Sequence, residues 1–371
     1  MIYVVYNNDP LGSDQGGGAE HARGLFRALK SSDLPFTFLA SRMQNERSDP
    51  RVVYLSQGAH FGRFYLALWL WFLRNRLAGD DVVHVHRNYC AWPKYLLSPS
   101  RGRVVITYHC LTGKVLELWL GPLGRLIHQG LKRLEHRAVA RADRLIFVSG
   151  RDKQAMMEEV AAASLKRAMV IPAAFDSRLF GPSEPPDADR ARSLLVLARL
   201  EPVKNVPLAI DTFEWLADRD TRWRLTIAGD GGARPAIEAR IVASPHKRRI
   251  RLTGLVAHDR VPDLIEEHGI VLVTSRSEAS PTVVKEGLAL GRMIVTTDVG
   301  DVSAWIDHGR TGFITDSAEA LDLAALAEAA ARLIEQGQAA SVSLPDEAQI
   351  MDRVLQVYRS LDERVSWPQA A

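Results

Sequence analysis

The chain has 371 residues, with 47 Lys and Arg against 44 Asp and Glu, and 47% of its residues are apolar. That length exceeds one ordinary core and points to two domains of roughly 150–200 residues each. The composition is that of a soluble folded protein and excludes disordered, collagen-like and low-complexity chains. Two cysteines, Cys90 and Cys110, exclude both a disulfide framework and a zinc–cysteine cluster.

The net charge of +3 hides an asymmetry. Residues 1–180 carry 25 basic against 15 acidic residues, a balance of +10, and the remainder carries 22 against 29, a balance of −7. A basic half joined to an acidic half suggests that the first meets something anionic, with nucleic acid and an anionic membrane as candidates. Uneven solvated surface remains the plain alternative.

The chain opens on "IYVVY" (2–6), an apolar run without a basic start, which reads as a buried strand rather than a leader. A reducing cytoplasm is the expected compartment. Next comes "GSDQGGGAEHA" (12–22), with a helical pattern beginning near Ala19. Glycines there permit a tight turn and let a ligand reach backbone N–H groups at a helix start. Gly12, Gly16, Gly17 and Gly18 do not fit GxGxxG, and no Lys-Ser/Thr follows for a P-loop, so the stretch marks either an anionic or bulky ligand or a flexible turn.

Strands are predicted at 36–40, 81–86, 104–109 and 144–149. Between the first two lies "FGRFYLALWLWFLRNRLAG" (61–79), whose uninterrupted apolar stretch Phe64–Leu73 is ten residues, too short to span a bilayer. It reads as a core helix or a helix lying in a membrane interface. A second basic amphipathic segment runs from Leu116 to Ala138. His84 and His86 alternate with valines and read as structural, whereas His109 ends a strand and is a candidate functional group. No helical HExxH pair supplies a zinc site.

"AAFDSRLFGPSEPPDADR" (173–190) is a linker by composition. Five more strands are predicted beyond it, at 194–200, 224–229, 250–254, 270–275 and 293–298, again alternating with helical patterns. Continuous apolar strands with helices between them mean parallel sheets covered on both faces. In such sheets ligands bind beyond the carboxyl ends of the strands. There sit Arg199 and Lys204, two cations suited to one diphosphate, whose plain alternative is a pair of solvated charges. Glu278 lies in a later loop, and Glu286 inside the helix begun by "PTVVKEGLAL", with Pro281 suited to its first turn. N–H groups at that helix start could hold an anion, and a carboxylate one turn deeper could take the hydroxyls of a ribose.

The E-x7-E pair Glu278/Glu286, with upstream Arg199 and Lys204, resembles the retaining glycosyltransferases of family 4. The agreement extends to "GGGAE" with Glu20, to His109, "AGDGG" (228–232), "TGLV" (253–256) and "DVGDVSAWIDHGRTGF" (298–313), over about residues 1–335. The resemblance implies an α/β protein of the GT-B fold, two Rossmann-like doubly wound domains facing across a central cleft. Residues 1–172 would bind the acceptor, 191–344 the nucleotide-sugar, and a helix within 345–371 would cross back to the first domain.

By the same resemblance Arg199 and Lys204 neutralise the donor diphosphate, Glu286 binds the ribose and Glu278 the donor sugar. Ser280, Pro281, Thr282 and Val283 complete the phosphate grip, and Gly229 belongs to the donor site. Gly17 and Gly18 make room for the reacting nucleotide-sugar, His109 lies near its anomeric carbon, and Glu20 is an acceptor-side candidate. The implied reaction is retaining transfer from a nucleotide-sugar, a UDP-sugar being the expected donor, to a glycan or lipid-linked acceptor in cell-surface polysaccharide or glycoconjugate synthesis. No cofactor and no metal is expected, nor any nucleic-acid partner. The expected location is cytoplasmic and peripheral at the inner face of the plasma membrane. Two departures stand out: "PAAFD" (172–176) where many members have "PNGVD", and "EASP" (278–281) where many have "EGFG". They weaken any assignment of the donor sugar. They also leave open a non-catalytic sugar-nucleotide-binding subunit of a polysaccharide assembly complex; a non-hydrolysing nucleotide-sugar epimerase of similar fold is the rival enzyme, against which the E-x7-E pair argues.

Overall fold

The computed structural model describes residues 1–361 except 13–15, 44–46, 59, 111, 161–166 and 341, and the backbone alone of 112–120, 125 and 128. Part of the glycine stretch, the side chains at the start of the second basic segment and the last ten residues therefore lie outside the described residues. The chain forms two units, one of Met1–Phe175 with the segment from Asp346 onward, the other of Asp176–Pro345.

The first unit is built on seven parallel strands in the order β3-β2-β1-β4-β5-β6-β7. These are β1 (Ile2–Val5), β2 (Phe36–Arg42), β3 (Val52–Gln57), β4 (Val82–Val85), β5 (Arg103–Tyr108), β6 (Arg144–Phe147) and β7 (Ala168–Val170). The central strands β1 and β4 are almost wholly buried on both sides, as a sheet covered on both faces requires. One face packs against α1 (Gly17–Lys30), the other against α2 (Phe61–Arg74), α3 (Trp92–Leu97), α4 (Thr112–Arg141) and α5 (Gly150–Glu159), giving two apolar clusters. Within α4 the backbone leaves helical geometry at Gly121, where φ is 56° and Pro122 follows, so it is two helical stretches meeting at a kink.

The second unit carries six parallel strands in the order β10-β9-β8-β11-β12-β13. They are β8 (Ser193–Leu197), β9 (Arg224–Ala228), β10 (Ile250–Gly254), β11 (Ile270–Val273), β12 (Met293–Thr297) and β13 (Gly312–Thr315). The helices between them are α6 (Val206–Ala217), α7 (Arg234–Ala243), α8 (Val261–Glu266), α9 (Thr282–Ala289) and α10 (Ala320–Glu335). The last described helix, α11 (Glu347–Arg359), packs on α1 of the first unit, burying Ile350, Met351, Val354 and Tyr358 in that core.

Both sheets share the doubly wound order in which the strand sequence reverses once, between β1 and β4 in one and between β8 and β11 in the other. Ten strands match those predicted, with ends shifted by up to three residues. β3, β7 and β13 were not predicted: β3 is largely unburied despite its apolar Val52–Leu55, and β7 and β13 are only three and four residues long.

Candidate functional site

The reversal points are where ligands bind in such sheets, because the loops on either side diverge there and leave a crevice. In the second unit the loops after β8 and β11 are tied together by backbone. The Arg276 N–H donates to the Val203 carbonyl at 2.8 Å, and the Thr274 hydroxyl donates to the carbonyls of Lys204 and Asn205, each at 3.1 Å. Asn205 turns the chain with φ 49°, a left-handed conformation that Asn tolerates better than most residues. These bonds bring Lys204 against Glu278: Nζ lies 2.5 Å from Oε1, which also accepts the Ser275 hydroxyl at 2.8 Å. Arg199 goes elsewhere. It is exposed and pairs with Glu201 at 3.0 Å, so the two predicted cations do not share a carboxylate.

Glu286 is buried in α9, one turn inside it. The helix begins at Thr282, and Pro281 is its N-cap rather than its first residue. Proline has no N–H, so the anion grip expected of residues 280–283 falls to the amides of Ser280, Thr282 and Val283. Ser280 belongs to a hydrogen-bonded chain the sequence did not reveal. Lys285 Nζ donates to its Oγ at 2.7 Å, and that hydroxyl donates to Asp301 Oδ2, also at 2.7 Å. Lys285 is fully buried, with Nζ 5.0 Å from the centre of the Trp305 ring. Burial pulls its ammonium down to about 8, opposed by Asp301 and Glu286, while burial raises the Asp301 carboxyl against Lys285. The signal for Asp301 was present in "DVGDVSAW", quoted for the resemblance but given no role.

Two glycines set the loops. At Gly229 φ is +135° and a Cβ would lie 1.9 Å from the Ala198 carbonyl oxygen. At Gly300 φ is +59° and a Cβ would lie 2.4 Å from the Ala279 oxygen. Both are demanded by backbone passing close by, beside the Arg199 turn and the Glu278–Pro281 loop respectively.

In the first unit the reversal point gathers imidazoles. His109 shares a 3.0 Å hydrogen bond with His86, from Nε2 to Nδ1. Tyr6 stacks on both rings, and His21 of α1 meets both edge-on. His86, expected to be structural, thus sits against the candidate His109. His84 is structural as expected, holding Tyr358 Oη at 2.5 Å and Thr107 at 2.7 Å. Burial pushes the His84 imidazolium down to about 3. Burial with neighbouring imidazoles holds His86 and His109 well below the ordinary histidine range, so both are neutral at pH 7. The nitrogens of His21, His86 and His109 lie within 4.8 Å of one another and could offer three ligands to a metal. The 3.0 Å His86–His109 separation is that of a hydrogen bond and shorter than the about 3.3 Å that two nitrogens span around tetrahedral zinc.

Gly18 answers to a neighbour inside the unit, since a Cβ there would lie 2.6 Å from the Tyr6 hydroxyl oxygen. Gly16, with φ +108°, makes the turn into α1, which starts at Gly17, two residues before the predicted start. Glu20 is buried and forms an ion pair with Arg23. Cys90 and Cys110 are not in a disulfide.

Two parallel sheets with one reversal each define the α/β class called GT-B. Sucrose-phosphate synthase from Thermosynechococcus elongatus shares this fold with TM-score 0.75 and 18% identity, covering 98% of this chain and 99% of that one. HepE of Anabaena, solved in complex with UDP and glucose, shares it with TM-score 0.68 and 17% identity, covering 98% of each chain. Residues 15–179 match the description Glycosyltransferase Family 4, and residues 191–336 match Glycosyl transferases group 1. The chain belongs to the family 4 glycosyltransferases. Among curated relatives, 2-deoxystreptamine N-acetyl-D-glucosaminyltransferase of Niallia circulans is 23% identical over 74% of this chain and 72% of its own length. Alpha-D-kanosaminyltransferase of Streptomyces kanamyceticus is 32% identical, but over only 33% of this chain and 31% of its own.

Proposed function

We propose that the protein transfers a sugar from a nucleoside diphosphate donor, a UDP-sugar, to a glycan or lipid-linked acceptor, with retention of configuration and without a resident metal. The observation that carries the reading is the meeting, at one reversal point, of Lys204, Glu278 and the start of α9 with buried Glu286 behind it. Breaking the glycosidic bond leaves a diphosphate whose growing charge must be stabilised. Lys204 and the α9 amides supply that electrostatically, with Arg199 free to swing from its exposed pairing. Glu286 takes the ribose hydroxyls and Glu278, oriented by Lys204 and Ser275, those of the sugar. The choice of UDP follows HepE, which was solved with UDP and glucose. His109, neutral at pH 7, can offer a hydrogen bond but no charge. The acceptor proton goes to a phosphate oxygen of the leaving group, which accounts for retention without a protein nucleophile.

Calorimetry of UDP, GDP, ADP and CMP against the wild type and Glu286→Ala tests the donor site. UDP is expected to bind, and the variant to bind on the order of tenfold to a hundredfold more weakly, the loss of a hydrogen bond to a charged group. An indifferent variant, or no diphosphate binding, would remove the transferase reading. Transfer assayed in EDTA should run undiminished.

A further inference from the structure

We propose that the outer surface of α2, α3 and α4 docks on an anionic lipid surface, independently of whether the chain transfers sugar. Among the described residues, nine of the sixteen large apolar side chains exposed to solvent lie on these three helices. Helix α2 is apolar on two opposite faces. Phe64, Leu68 and Phe72 enter the core, while Leu66, Leu70 and Leu73, spaced i, i+4, i+7 on the opposite face, are 64%, 43% and 64% exposed. A soluble helix with such a sequence is normally buried on both sides. Beyond the Gly121 kink, α4 repeats the pattern with Leu123, Leu126, Leu131 and Leu134, all exposed. Leu96 of α3, a helix of the same layer, is 59% exposed.

The charge on these helices decides what covers them. Helices α2, α3 and α4 contain nine Lys and Arg, of which Lys94 is buried, and two acids, Glu117 and Glu135, the side chain of Glu117 lying outside the described residues. Glu135 is buried and accepts the Asn88 amide at 2.6 Å, so it does not face outward. Arg133 and Arg137 accompany the leucines of α4 and are exposed, as are Arg63 and Arg74 at the two ends of α2. Apolar side chains bordered by cations, with no exposed acid among the described residues of these helices, fit acyl chains beneath anionic headgroups. Trp69, half-buried, puts an amphipathic ring at the level where headgroup meets acyl chain, whereas Trp71 packs inward against Tyr3. Among the described residues no helix is long and apolar enough to cross a membrane, so the contact lies in the plane of the interface.

Flotation with vesicles of phosphatidylcholine, with and without phosphatidylglycerol, tests the surface. The wild type is expected to bind the anionic vesicles at least about tenfold more strongly and to lose that preference in high salt. Arg133→Gln/Arg137→Gln should cost on the order of tenfold on anionic vesicles, and Leu126→Asp/Leu131→Asp should abolish binding to both. Thermal melts followed by circular dichroism check that each variant's first unit is folded, and UDP calorimetry reads the donor site of the second unit separately. Indifference of the wild type to phosphatidylglycerol, or variants that float like the wild type, would overturn the proposal. So would self-association of the wild type that Leu126→Asp/Leu131→Asp abolishes, which would assign the face to a second copy.

Discussion

Helix α1 passes the Tyr6 hydroxyl at Gly18 so closely that a methyl group would lie 2.6 Å from its oxygen. Gly18→Ala is expected to destabilise the first unit by about 1–3 kcal/mol, the usual cost of overpacking. Thermal melts of Gly18→Ala in the wild-type and Tyr6→Phe backgrounds check this. The cost should shrink once the hydroxyl is gone, and an equal cost in both would place the clash elsewhere. Such a residue shows how a motif can be right in position and differ in cause. Glycine was expected at 17 and 18 for a ligand's sake, and at 18 the fold itself already forbids a side chain. Lys285 carries the reverse lesson. That lysine was assigned no role from the sequence, yet it is buried with Ser280 and Trp305 as neighbours.

At the scale of elements, α11 joins the first unit through apolar contacts and through Arg27, whose guanidinium pairs with Glu347. Its start is fixed by a capping box in which Asp346 accepts the Gln349 N–H at 2.7 Å and the Gln349 side chain accepts the Asp346 N–H at 3.0 Å. Asp346→Ala should therefore cost about 1 kcal/mol. Because α11 belongs to the first unit, that loss should lower the melting of that unit while the UDP affinity proposed for the second stays unchanged. Fluorescence melts and calorimetry on the same variant separate the two. The helix itself was legible from its period, since the buried set Ile350, Met351, Val354, Tyr358 follows helical spacing. Strands β7 and β13 were not legible, because at three and four residues they hold their place through neighbours rather than through their own pattern.

Across the whole molecule the histidines set the acid limit. His84, His86 and His109 are neutral in the fold, with values depressed below the ordinary 6.5 and that of His84 down to about 3. The unfolded chain takes up protons below pH 6.5 that the folded unit refuses. Stability from these groups is therefore complete above pH 6.5 and is lost as pH falls below it, for His84 down to about 3. Each contributes up to about 1.4 kcal/mol per pH unit in that window, so three together reach about 4. The first unit is expected to unfold on mild acidification, and His84→Gln should flatten the slope measured by denaturant titration at pH 7, 6 and 5. Lys285 titrates at the alkaline end in the second unit. Its depressed value means stability is fullest above pH 10.5 and falls as pH drops to about 8, where the buried amine takes its charge.

Alternating apolar runs and helical periods were enough to specify two parallel α/β units, because burial on both faces writes itself into continuous Val, Ile and Leu. Lys204, Glu278 and the start of α9 were also legible, since each stands soon after a strand and the ends of parallel strands are where ligands bind. The company each residue keeps was not. Positions 6, 21, 86 and 109 meet only because β1 lies beside β4 and β4 beside β5. Lys204 meets Glu278 because β8 lies beside β11. Strand order is a long-range choice made by packing, and no local pattern encodes which strand becomes the neighbour of which.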